Sequence, residues 1–409
     1  MSGQGRAGIG GEMRTFGRRR ERGAALIQVT VAILGLLAFT IFVIDYGVVW
    51  VARTQAQNAA DAAALAGAVS LAYEDDAGHA TATARAIQVA AQNPIWGEAP
   101  VVLASDVSYP TCPDGTDTCV RVDVYRTPDR GTALPSFFGP LLGITNQRVR
   151  ATATAQAALA NASDCLKPWA VPDKWVEINP DPAVPQDPWN SDYEYNVVDR
   201  HGDPIANPDF YSPPTPTDPG TGFTVAVDYG TQLRLKPGNP HDSITPGWFL
   251  AVDLPMAGGG PATGGQRYRT NIAQCNGLPV PIGSTLTNEP GNMIGPTAQG
   301  VRDLVALDPL ASWTGGESGH VTGGCMSAGT CTLSPRMVAL PIFNVDTYLT
   351  GRASGRTDIV IVNILGFFIE GLEGNDVLGR LTHYPGTLTP GAGTLDPTSA
   401  FQRVILLVQ

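Results

Sequence analysis

The sequence predicts an α+β fold hung from one long N-terminal helix, and three observations predict it. Residues 24–44 form an apolar run without a single charge. Residues 51–72 continue it as an Ala-rich stretch with no proline. Beyond that, short β-branched runs alternate with turn residues in a chain that carries 47 Gly and 34 Pro among 409 residues.

The apolar run has only Gln28, Thr30 and Thr40 as polar members. At 1.5 Å per residue its helical length is roughly 31 Å, the thickness of a bilayer's hydrocarbon core. Six Arg and two Glu give residues 1–23 a net charge of +4; the whole chain is −11, which leaves −15 for the remainder. Basic flanks stay cytoplasmic, so the expected topology is N-terminus inside and everything after residue 44 outside. Asp45, Tyr46 and Trp50 come directly after the run, and amphipathic rings suit the headgroup level. A cleaved signal peptide is the competing reading. Its apolar region spans about 7–15 residues with a small-residue cleavage site close behind, whereas the next such sequence here, around Ala62-Ala63-Ala64, lies far downstream in a helical pattern.

Ala is the best helix former, so residues 51–72 extend the helix beyond the membrane as one rod. Arg53, Gln57 and Asp61 recur every fourth residue and share one face. Ala52, Ala56, Ala59, Ala60, Ala63 and Gly67 form a smooth neighbouring face that lets another helix approach closely. This face admits a homo-oligomer through the N-terminal helix. Asp45 and Asp61 are docking candidates, against the plainer readings of an interfacial charge and a solvated face.

A second helix is expected at 76–92, then strands at 101–107, 119–124 and 148–158, the last with alternating small apolar and polar residues. The apolar patch 134–144 between them reads as a short helix. The organisation is then a basic cytoplasmic segment 1–23, a transmembrane helix 24–44, its outer continuation 45–72 and a small α+β unit 73–160. A Pro/Asp-rich connecting region 161–222 and a β-rich domain 223–409 complete it. Strands are expected in the last domain at 223–227, 232–235, 248–252, 337–343 and 358–368.

All six cysteines lie beyond the anchor, and an even count in an exported segment favours disulfides. Local spacings suggest Cys112–Cys119 and Cys325–Cys331, which leaves Cys165–Cys275; six cysteines admit fifteen pairings. Zinc is disfavoured because no C-x-x-C occurs and the five His do not cluster near the cysteines.

The acidic balance argues against nucleic acid, which needs clustered Lys and Arg. Residues 291–300 are Gly-rich but lack the Lys-Ser/Thr of a phosphate loop, so a structural turn is expected. Gly316-Glu317-Ser318-Gly319-His320 puts His where a nucleophile elbow needs Gly. His79, His201, His241, His320 and His383 are scattered, with no H-E-x-x-H. The expectation is no enzyme, no cofactor and no resident metal. Trp169, Trp175, Trp189 and Trp248 read as core residues, with an aromatic ligand pocket as the alternative.

Arg22-Gly23 before the run, Asp45-Tyr46-Gly47 at its outer end, and the block from Gln57 through Asp61 to Ala68 together resemble the TadE/TadG-like proteins of bacterial Flp pilus assembly. The patch 134–144 and the strand at 148–158 are similar to segments often found in such proteins after the helix. The resemblance implies a pseudopilin-like or accessory envelope protein in the inner membrane, in contact with the bilayer and with other pilus-assembly or envelope proteins. Prepilin peptidase substrates usually carry Glu at the fifth residue after the cleaved Gly, whereas Gln28 stands there. Some larger members carry an Asp-x-Ser-x-Ser metal site, which is absent from this sequence. A membrane-anchored adhesin or ligand-binding ectodomain is the alternative, and an anchored hydrolase the second.

Overall fold

A computed structural model describes residues 18–73, 79–143, 145–178, 192–199, 201, 203–255, 264–353 and 358–408. The fold is α+β, as the sequence predicts: one long apolar helix, further helices and several sheets. It divides into two compact units, residues 1–156 with 407–409, and residues 157–406.

The first unit is built on helix α1 (Arg18–Tyr73), a single rod of 56 residues. Two of its three polar interruptions within the apolar run are silenced locally. The hydroxyls of Thr30 and Thr40 donate to the carbonyls of Leu26 and Leu36 at 2.8 and 2.9 Å, so neither presents a free donor to apolar surroundings. Helix α2 (Ala80–Ala91) buries Ala82, Ala86 and Ala90, one residue in four, and packs on α1. The sheet of this unit runs β1 (Val107–Ser108), β2 (Cys119–Arg126), then β5 (Val149–Leu159), all antiparallel. In β5, Val149, Ala151, Ala153 and Ala155 are buried while Arg150, Thr152 and Thr154 face outward. That is the period-2 alternation of a strand with one covered face. A two-residue ladder joins β3 (Leu134–Pro135) to β4 (Asn146–Gln147).

Three sequence expectations change. The strand expected at 101–107 is only Val107–Ser108, because Asp106 accepts the N–H of Leu103 at 2.8 Å and bends 104–106 into a 3-10 turn. Within the patch, residues 134–143 form the short strand β3 and a 3-10 turn (Gly139–Leu142) that Gly143 ends in the left-handed region, at φ 79°; residue 144 lies outside the described residues. The strand expected at 223–227 is instead one helical turn, α3 (Val225–Asp228). Asp228 accepts the N–H of Thr224 at 2.8 Å and Lys174 Nζ at 2.6 Å, which outweighs the β preference of two valines. Helix α2 begins at Ala80; residues 76–78 of its expected range lie outside the described residues.

The second unit starts with β6 (Ala162–Ser163) and β7 (Trp169–Pro172), followed beyond α3 by β8 (Gln232–Gly238) and β9 (Trp248–Asp253). Next come α4 (Gly265–Ala273), β10 (Val280–Pro281), β11 (Thr285–Asn288) and α5 (Ile294–Leu307). A small hairpin, β12 (Ser312–Thr314) with β13 (His320–Thr322), precedes the helical turn α6 (Gly324–Ser327). The chain ends with β14 (Met337–Phe343), α7 (Val345–Ala353), β15 (Asp358–Glu373), β16 (Asp376–Thr382), β17 (Tyr384–Pro385) and β18 (Gln402–Val408).

Six of these strands pair in a ring: β15 with β14, β14 with β7, β7 with β9, β9 with β8, β8 with β16, and β16 back to β15. Closing a sheet on itself removes its exposed edges. Alternation along each strand sorts the core into two clusters. Val338, Leu340 and Ile342 of β14 join Trp169, Val171, Phe249, Leu365 and Phe367 in one. Ala339 and Phe343 join Ala170, Trp248, Leu250 and Ile361 in the other. Helices α4 and α5 close the first cluster with Tyr268, Ile272, Val301 and Leu304. Gly300 makes that crossing possible: a Cβ there would stand 2.8 Å from Ile272 Cβ.

Candidate functional site

Helix α1 has two halves with opposite surroundings. Through residues 23–40 every side chain is exposed, Leu34 at 60 % and Leu36 at 67 %. Among the described residues this is the one helix long and apolar enough to cross a membrane, and none of its apolar window is covered by protein. Water around such a surface costs about 25 cal/mol for every Å² left exposed. A contiguous apolar face of this size therefore marks a lipid or protein interface.

The outer half reverses this. Ala52, Ala56, Ala59, Ala60, Ala63, Ala64 and Ala68 are fully buried, and Gly67 with them. Of the expected packing face, Ala52, Ala56, Ala59, Ala60 and Ala63 thus lie in the interior of the first unit, where α2 and β2 pack on α1. At the last member of that face, Gly67, an added Cβ would meet Val120 Cγ1 at 2.8 Å and Ala86 Cβ at 3.5 Å. Small residues permit this close approach, and the neighbouring helix, α2, comes from the same chain. Asp61 accepts Gln57 Nε2 at 2.8 Å, one turn back, and Gln57 also donates to the carbonyl of Thr152 at 3.2 Å. Gln57 is therefore the strut between the rod and β5, and Asp61 orients it.

Asp45 stands where the two halves meet. Its carboxylate accepts the hydroxyl of Ser136 at 2.8 Å and the backbone N–H groups of Phe137 at 3.0 Å, Phe138 at 3.2 Å and Gly139 at 2.9 Å. Four donors converge on one carboxylate from a segment some ninety residues away, and hydrogen bonds to an ionised acceptor are the strong kind. The turn 136–139 supplies them because its successive N–H groups point the same way, a concave arrangement that suits anions. The sequence marked Asp45 as a candidate and carried no sign of its partners.

The three cysteine pairs suggested by spacing are formed: Cys112–Cys119, Cys165–Cys275 and Cys325–Cys331, with Cα separations of 5.4, 4.2 and 5.3 Å. Cys165–Cys275 closes a separation of 110 residues within the second unit. Constraining so long a loop in the unfolded state is worth about 4–5 kcal/mol in the chain-entropy account.

The chemistry-bearing candidates elsewhere do not assemble. Ser318 ends a 3-10 turn (Gly316–Ser318) and His320 opens β13, so the strand–turn–helix of a nucleophile elbow is not built. The turn expected at 291–300 ends at Met293; residues 294–300 are the first half of α5, with Gly300 used for packing. Trp169, Trp175 and Trp248 are buried in the two core clusters; Trp189 lies outside the described residues. Among the described residues, no group of three His, Cys, Asp or Glu is placed to hold a metal. A cleft of about 360 Å³ is lined by Asp253, three prolines and the polar edge of β11.

Among the buried Lys, Arg, Asp and Glu side chains of the second unit, Lys167 and Asp173 are shifted furthest by burial. Burial pushes the Lys167 ammonium down to about 7, and its Nζ donates to the carbonyl of Gln274 at 3.0 Å. Burial pushes Asp173 up to about 7 against the N–H groups of Lys174 and Phe223 and the hydroxyl of Tyr211. Asp173 ties the start of the 173–176 segment to residues 211 and 223, which makes it a structural knot.

Residues 23–70 match the family model described as Tad, putative Flp pilus-assembly TadE/G-like. The match runs along α1 and takes in the apolar run, Asp45 and most of the buried Ala face. No curated protein and no solved structure matches the chain.

Proposed function

We propose that this chain is a single-pass, membrane-anchored structural or assembly component of Flp pilus machinery, and not an enzyme. The observation that carries the reading is the coincidence of the family match at 23–70 with a bare apolar helix of bilayer length. The basic flank sets the N-terminus in the cytoplasm and the disulfide-bonded bulk on the outer side of the bacterial cytoplasmic membrane. Its mechanism is mechanical: α1 holds the first unit at a fixed height above the bilayer, and the ectodomain contacts other pilus-assembly or envelope proteins. The acidic balance of the chain argues against nucleic acid among those partners.

A clean deletion in the native bacterium tests this. Loss of surface pili, restored by the full chain and not by a chain lacking residues 1–44, is the expected result. Normal piliation in the deletion strain would sink the proposal.

A further inference from the structure

We infer that the loop 136–143 is a second membrane contact, an uncharged foot that rests in the outer headgroup layer beside the anchor. The inference depends on α1 spanning the bilayer as proposed above. Its geometry is direct. Asp45 comes immediately after the apolar run, so it lies at the boundary between hydrocarbon and headgroups. The four donors it gathers fix residues 136–139 at that same height.

The composition suits that depth. Residues 136–143 carry no charge, and half of them are Phe or Leu. Phe137 is 56 % exposed although its own N–H is anchored, so its ring leaves the protein surface. Phe42, Tyr46 and Trp50 of α1 are exposed on successive turns that bracket Asp45 over roughly 12 Å of helix, and Phe42 stacks on Tyr46 with centroids 5.9 Å apart. Together they continue the exposed face of the anchor outward in the manner of an aromatic belt.

The hydrogen bonds also answer the usual objection to placing a loop near lipid. Backbone N–H groups that leave water need partners, and Asp45 supplies one to each of Phe137, Phe138 and Gly139. The carboxylate in turn is satisfied by four donors rather than left bare. The remaining polar backbone limits the loop to the headgroup and upper acyl region, roughly 5–10 Å deep. The partner is thus a phospholipid surface, reached only because the anchor delivers the loop to it.

The test uses the oxidised full chain in phospholipid vesicles, with an environment-sensitive maleimide dye on Phe137→Cys and, separately, on Leu34→Cys. Lipids carry a nitroxide either near the headgroup or near the chain end, and iodide probes the water. The Phe137→Cys label should be quenched at least about two-fold more by the shallow nitroxide than by the deep one, as an interfacial depth requires. The Leu34→Cys label should show the reverse order. Adding Asp45→Ala should release the loop and shift the Phe137→Cys label from lipid to iodide quenching. A Phe137→Cys label open to iodide, or shielded from both quenchers by protein, overturns the foot while a lipid-quenched Leu34→Cys label leaves the anchor standing. If the Leu34→Cys label also escapes lipid quenching, the anchor falls and the foot with it.

Discussion

Helix α1 and the second unit break the ordinary rule of burial in opposite directions. The inner half of α1 exposes Leu, Ile, Val and Phe along its whole circumference. The second unit buries Lys167 and Asp173, groups that soluble proteins leave in water. Each inversion has its own compensation. The helix offers few polar groups to its surroundings, since its backbone is paired internally and Thr30 and Thr40 bond back to the preceding turn, so lipid can replace water around it. The second unit satisfies its buried carboxyl with three donors and its buried amine with a backbone carbonyl. Exposure of apolar residues thus reports on the solvent, whereas burial of charge reports on hydrogen bonding.

A pH profile should give the strongest response. Asp173 keeps its proton to about pH 7 in the fold, while an unfolded Asp releases it near 4. Between those values the folded state binds more protons, so stability falls as pH rises from about 4 to 7. Lys167 loses its proton near pH 7 in the fold but near 10 when unfolded. There the unfolded state binds more protons, so stability climbs from about 7 to 10. Denaturant unfolding of the second unit at about pH 5, 7 and 9 should show its minimum near the middle, with limbs of a few kcal/mol. Asp173→Asn should flatten the acid limb and Lys167→Met the alkaline one; limbs unchanged by these variants would break the assignment.

Next in size is the anchor. Leu34→Asp puts a charge near the bilayer centre and should cost about 3 kcal/mol of insertion, read as chain lost from the membrane fraction. A protein core at this position would instead have shown buried neighbours, and none covers it. Ala60→Leu overfills the buried face of the outer half and should destabilise the first unit by about 1–3 kcal/mol, seen as a lower melting temperature with insertion unchanged. The weakest response discriminates best. Leu34→Ala removes a large apolar side chain, yet the melting temperature of the ectodomain should not move, whereas the same truncation in a core costs about 2–5 kcal/mol. A core-sized loss on Leu34→Ala would erase the difference between the halves.

Local patterns in the sequence carried α1, α2, the alternating strand β5 and the strands β14 and β15. They also carried the cysteine pairs 112–119 and 325–331, whose partners are neighbours in the chain. The misreadings were local as well: at 101–107, 134–143 and 223–227 apolar or β-branched runs were overruled by Asp106, by Asp45 with Gly143, and by Asp228. In each case a carboxylate accepts backbone N–H at the turn, one for Asp106 and for Asp228 and three for Asp45. Helices α4 and α5 sat in a stretch read as β-rich. Thr297, Ala298, Val301 and Leu304 of α5 are buried at helical spacing, a signal that was present and outweighed by the surrounding Gly and Pro.

Residue type, spacing and length are local quantities, and they were enough to specify a bilayer-length apolar helix, its expected direction, and its continuation as a small-residue rod. Only the folded chain revealed that the small-residue face is covered by α2 and β2 of the same molecule, that Asp45 is held by residues 136–139, and that six strands close in a ring. Each of these joins segments tens to hundreds of residues apart, and no local periodicity encodes which distant surface will have the matching shape or the free donors.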